Sequence, residues 1–486
     1  MPYLIIEPFL LWFLSYDCFR RLQNADYRPA RGYFRLLYSP YFVALALLQV
    51  LSVLVQIYAL PRYVTDICCA VIGVVFACIP HKVRFKFTKR VIRMLCVQLA
   101  VLIGISFASI ITYAVAALPF ITLVSLVLCM PIDFAVARYY IRKARHKLEN
   151  SNVTVIAVTG SYGKTSVKDM LCSLLDDSAC ASGSCNTPLG IAAYINKTDF
   201  YYVKYLVLEF GARKRGDIAE LCRLYKPKYG IVTGVCAQHL STFKSLDNVI
   251  TAKRELVECL PENGVCVLNY ADEIAAGFVN AGECRKQLSN DDVSVQTNKI
   301  TVDGTELSVS YRKTVKSVRL PQITAYTADT FLMCLKMCLT VGQSFTKTLQ
   351  RAVNVRQTPH RMEISKAQNC YIIDDGYNGN IVGVTSMAKT LNLFDRHKTV
   401  ITQGLVECGS KRKELNIQCG RILGEACDVA IVLGANAKFL EKGLKQTDCT
   451  VFRVKNLKQA VAQAQGYLNG PDNSILLFQN DLPDNL

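Results

Sequence analysis

The chain has 486 residues, 51% of them apolar, and a formal charge of +18 at pH 7. The length allows roughly three domains, and the positive charge clusters beside apolar runs, which argues against nucleic-acid binding as its cause. The 21 cysteines are scattered with no Cys-x-x-Cys pair, which excludes a zinc ribbon and reads as reduced core thiols of a cytoplasmic chain.

Apolar runs occupy residues 2–19, 41–60, 63–79, 97–117 and 118–137, each near the roughly 20 residues a bilayer core requires. The last two are contiguous. One helix of their joint length would overshoot a bilayer, so a hairpin is expected near Pro119. The first run carries Glu7 and Asp17 near its ends, with no basic start and no small-residue cleavage site, so it does not read as a signal peptide. Arg20, Arg21, Arg28, Arg31 and Arg35 follow the first run. Lys82, Arg84, Lys86, Lys89, Arg90 and Arg93 follow the third, and Arg138, Arg142, Lys143, Arg145 and Lys147 the fifth. The other two connections are short and nearly uncharged. Five spans with the N-terminus outside satisfy the rule that cytoplasmic connections carry the Lys and Arg. Everything after residue 150 is then cytoplasmic. The spans show no charged pathway, so anchoring is expected rather than transport.

The β-branched run at residues 153–158 leads into Gly160-Ser-Tyr-Gly-Lys-Thr165, and a helix-like stretch follows. A strand, a glycine-rich turn and a helix N-terminus direct backbone N–H groups at a phosphate, and the helix dipole favours its charge. Gly160, Ser161, Tyr162, Gly163, Lys164, Thr165 and Ser166 are therefore the candidate nucleotide-binding residues. Lys164 would reach the β- and γ-phosphates and Thr165 would hold Mg²⁺. The full phosphate-loop pattern has a further Gly where this chain has Val158.

Strand-like and helix-like segments then alternate, which predicts parallel α/β architecture. Strands are expected at residues 153–158, 205–209, 229–233 and 265–269. A second series is expected at 371–374, 398–402, 429–433, 450–454 and 475–478. A polar linker, Val355-Arg-Gln-Thr-Pro-His360, separates them. The expected division is residues 1–150 helical and transmembrane, 151–356 a phosphate-loop α/β domain and 357–486 a second α/β domain. Polar residues collect where ligands bind in open α/β sheets: Glu209 and Thr233 at strand ends, His239 shortly after, Lys253 on the next helix, and Asp374 and Asp375 in the second series.

The order of these motifs resembles the Mur ligases, the ATP-dependent amide-forming enzymes of peptidoglycan synthesis. It is closest to the branch that joins D-alanyl-D-alanine to a UDP-linked muramoyl tripeptide, and within it to a bacterial membrane-anchored subgroup. The resemblance runs from Val153 to the C-terminus. It rests on Thr159-Gly-Ser-Tyr-Gly-Lys-Thr165, Cys185-Asn-Thr-Pro-Leu-Gly190, Glu209-Phe-Gly-Ala-Arg-Lys-Arg-Gly-Asp-Ile218, Pro227-Lys-Tyr-Gly-Ile-Val-Thr233 and Gln238-His-Leu240. Ala252-Lys-Arg-Glu255, His360-Arg-Met362, Asp374-Asp-Gly-Tyr-Asn-Gly-Asn380 and Asn480-Asp-Leu-Pro-Asp484 complete it.

The resemblance implies that ATP phosphorylates a peptide carboxylate and that an amine displaces the phosphate. It implies a P-loop ATPase domain followed by a Rossmann-like C-terminal domain. Lys164, Glu209, His239 and Lys253 become the catalytic set. Thr165 and Glu209 would hold one Mg²⁺, and His239 and Lys253 would serve a second. A lysine ligates Mg²⁺ only once it carries oxygen; in the family the lysine at this motif is carbamylated, and Lys253 occupies that position. Arg361, Asp375 and Asn378 would grip ATP from the second domain. The partners implied are a muramoyl-peptide substrate, D-Ala-D-Ala or a related amine, the cytoplasmic membrane and a cell-wall synthesis complex.

Three departures stand out. Membrane runs replace the family's uridine-binding domain, which makes a lipid-linked acceptor an alternative. Leu320-Pro is followed by Gln322-Ile-Thr-Ala-Tyr-Thr-Ala-Asp329 without the family's adenine-contact Asn residues. Gln238-His-Leu is followed by Ser241, where the anchored subgroup tends to have Glu. A non-catalytic membrane scaffold and an ATP-driven transporter are the rival readings.

Overall fold

The computed structural model describes residues 3–24, 27, 33–58, 63–78, 85–107, 117–237, 240–377, 379–406, 408, 411–468, 470 and 473–479. Two compact units are present, Met1–Tyr139 and Tyr140–Leu486.

Each of the five apolar runs contains helix: Tyr3–Leu14 with Tyr16–Asn24, Pro40–Ile57, Tyr63–Cys78, Lys89–Phe107 and Leu118–Glu149. Among the described residues, however, only Leu118–Glu149 is long and apolar enough to cross a membrane by length and composition. The expectation of five such spans is corrected accordingly. The first run breaks at Ser15 into helices of 12 and 9 residues. The third is 16 residues long, and the fourth begins early, on Lys89, Arg90 and Arg93. Pro119 itself lies in the first turn of Leu118–Glu149, and residues 108–116, on which the expected hairpin falls, lie outside the described residues.

This unit buries an apolar core that includes Leu14, Phe19, Leu45 and Met94, yet it also exposes apolar faces. Val43, Leu47, Val50, Leu54 and Ile57 recur at helical spacing on one face of Pro40–Ile57, and all are exposed; Phe120, Val124, Val127 and Leu128 are exposed on Leu118–Glu149. Ser15, Asp17, Arg20, Ser52, Gln98, Thr122 and Ser125 are buried together with that core. Asp17 pairs with Arg20 and Arg21. The fifth run contains a carboxylate that the uncharged-span reading overlooks: Asp133 pairs with Arg90 at 2.7 Å and with Arg93. Charges withdrawn from water persist by such pairing.

The second unit is organised by three sheets. The strands of the first are β1 (Thr154–Thr159), β2 (Ser178–Cys180), β3 (Tyr205–Glu209), β4 (Tyr229–Val232), β5 (Val265–Leu268) and β6 (Arg285–Leu288), in the order β2-β3-β1-β4-β5-β6. All pairings are parallel. Val155 and Ala157 of β1 pack with Leu206, Leu208, Val232, Cys266 and Leu268 on one face. Ile156 and Val158 pack with Val207, Ile231 and Val267 on the other. A parallel sheet buried on both faces demands continuous apolar strands, which is why these runs are legible without alternation.

A three-stranded antiparallel meander follows: β7 (Val293–Thr301), β8 (Gly304–Tyr311) and β9 (Thr314–Leu320). The other six-stranded sheet is built from β10 (Glu363–Lys366), β11 (Tyr371–Asp375), β12 (His397–Thr402), β13 (Val429–Val432), β14 (Thr450–Arg453) and β15 (Ser474–Gln479). Its order is β10-β11-β15-β12-β13-β14, parallel except for β10 against β11. All nine expected strands form, shifted by a residue at some ends. No disulfide is formed among the described residues.

Candidate active site

β1 and β3 lie side by side in the sheet, and β4 flanks β1. Their C-terminal ends therefore deliver the glycine-rich loop, Glu209 and Thr233 to one edge. Val158 is in register with Glu209, so the loop leaves β1 beside that carboxylate. Gly160 has φ +152°, and a Cβ there would lie 2.0 Å from Thr233 Oγ1; the close approach of β4's end admits no side chain. The Ser161 N–H donates to Gly234 O at 2.7 Å. Thr233 Oγ1 donates to the Thr159 carbonyl at 3.2 Å and contacts that of Tyr162. The helix Lys164–Leu174 then starts after Gly163 with no side-chain cap, which leaves its first N–H groups to face a ligand.

Lys164 Nζ folds over the loop and donates to Gly160 O at 2.9 Å and Ser161 O at 3.4 Å. Burial lowers its pKa; Glu209 opposes that shift and Arg361 reinforces it. The Thr165 hydroxyl donates to Glu209 Oε2 at 2.8 Å. Asn186 Nδ2 holds the other oxygen, Oε1, at 3.0 Å, and Ser184 Oγ lies 3.3 Å from Thr165 Oγ1. Ser166 follows on the same helix. These hydroxyl and carboxylate oxygens are the hard donors that Mg²⁺ selects, so the residues fit that ion.

Lys253 sits on the helix Leu246–Cys259 and is 3% exposed. Its ammonium has no hydrogen bond among the described residues. Burial, reinforced by the charge of Lys164 and opposed by Glu209, pushes its pKa down to about 7. A buried amine with a pKa of about 7 exists in part as the free base near neutral pH. Two residues on, Glu255 accepts from Gly216 N at 2.6 Å and Ala219 N at 3.1 Å. That ties the loop after β3 to this helix.

The second sheet contributes Arg361 and Asp375. Arg361 stands between two residues in the left-handed region, His360 at φ 57° and Met362 at φ 53°. Strain at non-glycine residues persists where surrounding structure enforces it, and here it aims the arginine. Its guanidinium lies 4.2 Å from the Tyr377 ring centroid, and its charge depresses the pKa of Lys164. Burial pushes the Asp375 carboxyl up to about 6, against the opposing pull of Arg361. His360 Nδ1 pairs with Asp374 Oδ2 at 2.7 Å and so fastens the turn.

The structure thus brings residues 160–166, Glu209 and Lys253 together, with the charge of Arg361 reaching Lys164. His239, Asn378 and the motif at residues 480–484 lie outside the described residues. Sequence reasoning assigned no role to Asn186, Ser184 or Lys168. Asn186 had a signal: it precedes Thr187, whose side chain caps the helix Pro188–Lys197, and an ordered turn before a capped helix is a place to hold a ligand. Lys168, 1% exposed, donates to Ala181 O and to Gly183 O at 2.7 Å. It thereby holds the segment that carries Ser184; a lysine on an amphipathic helix gives no such hint in sequence.

Comparison with known proteins gives a consistent result. Residues 158–338 match the Mur ligase middle domain. The UDP-N-acetylmuramoyl-tripeptide–D-alanyl-D-alanine ligase of Escherichia coli (strain K12) is 27% identical over 276 residues, 55% of this chain and 61% of that ligase. The chain therefore spans less than two thirds of that relative's length. Among solved structures, MurF from Acinetobacter baumannii aligns with a TM-score of 0.65 and 20% identity, covering 72% of this chain and 78% of that one. The MurF ligase of Thermotoga maritima in complex with ADP aligns with a TM-score of 0.63 and 20% identity, covering 72% and 81%. At these identities the structural likeness is one of fold.

Proposed function

The chain belongs to the Mur ligase family through its residues 158–338, and from that premise we propose that it is an ATP- and Mg²⁺-dependent ligase that forms an amide bond in peptidoglycan precursor synthesis. The carboxylate substrate is a muramoyl peptide and the amine is D-Ala-D-Ala or a close relative. These are the substrates that the name of the E. coli relative carries. The observation that supports this most is the Thr165–Glu209 hydrogen bond at 2.8 Å beside the loop that carries Lys164. It sets a cation and hard oxygen donors around one point at the strand ends.

In this reading the free N–H groups after Gly163 and the Lys164 ammonium bind the phosphates and hold the terminal one in line with the substrate carboxylate. Carboxylate oxygen attacks the γ-phosphorus, ADP leaves, and an acyl phosphate results. The amine then attacks the acyl carbon and phosphate departs, with the surplus proton passing to solvent. Thr165 and Glu209 would hold Mg²⁺, which would neutralise phosphate charge. Asn186 keeps Glu209 turned toward Thr165. Lys253, once carbamylated by CO₂ with loss of a proton, would offer oxygen to a second Mg²⁺, and His239 would serve the same ion. Arg361, Asp375 and Asn378 contact the nucleotide from the domain of residues 357–486.

We further propose that residues 1–150 attach the enzyme to the bacterial cytoplasmic membrane with the catalytic residues on the cytoplasmic side. The outward apolar faces and the helix Leu118–Glu149 support this, as do the basic residues at 138–147. Resistance of the full chain to alkaline extraction from membranes tests it; release into the supernatant would remove the anchor. Attachment favours a membrane-proximal, lipid-linked acceptor as the alternative to a UDP-linked one.

ADP release with each precursor, with and without the amine, tests the ligase. A second reading, a membrane scaffold without turnover, draws on the missing Asn residues at 322–329. It predicts that Lys164→Ala leaves cell-wall complementation intact.

A further inference from the structure

We propose that the turn at residues 200–203 docks on the surface of an anionic phospholipid bilayer, so that the catalytic sheet stands on the membrane by the N-terminal ends of its strands. The inference rests on the membrane attachment proposed above. It adds a second point of contact, in the unit that carries the catalytic residues.

The Val203 N–H donates to Phe200 O at 3.1 Å, and Tyr201 and Tyr202 stand at the two corners of the turn. Such corners are the places of Gly, Pro, Asn, Asp and Ser, which supply special dihedrals or local hydrogen bonds. Here both hold large aromatic side chains, 79% and 82% exposed. Their rings meet edge to face with centroids 4.6 Å apart, and neither hydroxyl has a hydrogen bond among the described residues. Exposed apolar residues scattered singly are ordinary. An adjacent tyrosine pair at a turn tip is an apolar surface with polar ends, which suits the headgroup level of a bilayer.

The turn is held from behind. The Tyr201 N–H donates to Asp199 Oδ1 at 3.1 Å, and Thr198 Oγ1 donates to Tyr194 O at 2.9 Å. Phe200 packs on the core of the sheet. Lys147 Nζ lies 5.2 Å from the centroid of its ring and donates to Thr198 O. Lys147 belongs to the helix Leu118–Glu149, which from Tyr140 onward falls in the second unit. There Ile141, Ala144 and Leu148 pack into the same core, and Asn196 Nδ2 donates to Tyr140 O at 2.9 Å. Arg142 and Lys143, off that face, are exposed, as are Lys197 and Lys204 on either side of the turn. These cations complement the negative surface of an anionic leaflet, and the apolar run at 118–137 precedes them in the same helix.

Topology gives the docking its consequence. The turn leads into β3, and the Thr154 N–H at the start of β1 donates to Lys204 O at 2.8 Å. Glu149, at the helix end, pairs with Lys226 ahead of β4 at 2.9 Å. Helix end, turn and strand starts thus share one edge of the sheet, while the Gly160–Thr165 loop and Glu209 stand at the other. Strands of five or six residues separate the two edges by roughly 17–20 Å. A docked sheet therefore keeps the phosphate-binding loop clear of the headgroups and open to soluble nucleotide.

The test uses Tyr202→Trp, with Tyr201→Trp as a second reporter, in the full-length protein reconstituted into vesicles of phosphatidylcholine and phosphatidylglycerol. The wild type, whose one tryptophan is Trp12, gives the background. Brominated phosphatidylcholine should quench the emission that each new tryptophan adds, and acrylamide should reach it several-fold less well than it reaches free tryptophan. Leaving out phosphatidylglycerol should weaken the quenching; equal quenching would overturn the assignment to an anionic surface. Access to acrylamide with no quenching by brominated lipid would overturn the proposal. Shielding from acrylamide without that quenching would overturn it as well, and would mean that a protein surface, such as a second copy of this chain, covers the turn. Flotation of the wild type with the vesicles separates the two readings. A chain that floats while both reporters stay unquenched sinks this inference alone. A chain that does not float sinks the attachment and this inference with it.

Discussion

Lys253 lies close enough to Lys164 for the charge of the one to hold down the basicity of the other, while Glu209 acts on both in the opposite sense. The pairing has a consequence for stability. Lys253 titrates near 7 in the folded chain and near 10.4 when unfolded. Below pH 7 both states carry the proton, and the cost of burying it is present in full. Between about 7 and 10 only the unfolded state holds it, so stability rises with pH, by up to about 1.4 kcal/mol per pH unit. Denaturation at pH 7, 8 and 9 in CO₂-free buffer should show that rise. Lys253→Met should flatten it by the same amount, and equal slopes in the two proteins would contradict the account.

Glu209 links the loop to the metal chemistry. Glu209→Gln keeps the side chain's shape while removing its charge, so turnover should fall about 100-fold or more and the Mg²⁺ requirement should rise. Asn186→Ala should lose less, roughly tenfold, because it frees one carboxylate oxygen without removing it. A Mg²⁺ titration of turnover in both variants separates the two effects.

The predictable part of this molecule is the part whose physics is local. β1, β3, β4 and β5 are apolar because both faces of their sheet are buried, and the loop after β1 is legible because Gly160 and Gly163 are required by close approach and by a left-handed turn. β2 has three residues, β6 is a polar edge and the meander β7–β9 is largely exposed, so none carries a continuous apolar signal. The site followed the same rule. Lys164, Thr165 and Glu209 sit at strand ends that sequence can place. Lys168 acts through partners brought together only by the fold, and Asn186 reaches Glu209 only once β3 and the turn before the helix Pro188–Lys197 are in place. The first unit misled for a related reason: composition marked the apolar runs, but not the break at Ser15 or the Asp133 pairing that shaped the helices.

Lys168 is a structural test of that fold dependence. Its buried ammonium donates to two carbonyls and pairs with Asp169 at 3.0 Å. Lys168→Met leaves those carbonyls without their donor, and urea denaturation should register a loss of about 2–4 kcal/mol. Nucleotide affinity should fall as well, because the segment bearing Ser184 loosens. Full stability in this variant would mean that water replaces the ammonium.

Gly160 tests the loop itself. Gly160→Ala puts a methyl 2.0 Å from Thr233 Oγ1 at φ +152°. The loop has to move away from β4, at a cost of about 1–3 kcal/mol. Thermal unfolding should register that loss together with loss of nucleotide binding. A variant that still bound ATP with wild-type affinity would show that the loop tolerates displacement.

The most direct test of the central claim is ADP release by the detergent-purified full-length protein with Mg²⁺-ATP, using muramoyl-peptide precursors in UDP-linked and lipid-linked form, with and without D-Ala-D-Ala. The account predicts release that requires both a precursor and the amine and is absent in Lys164→Ala. Release that persists in Lys164→Ala, or none with either precursor, would contradict it.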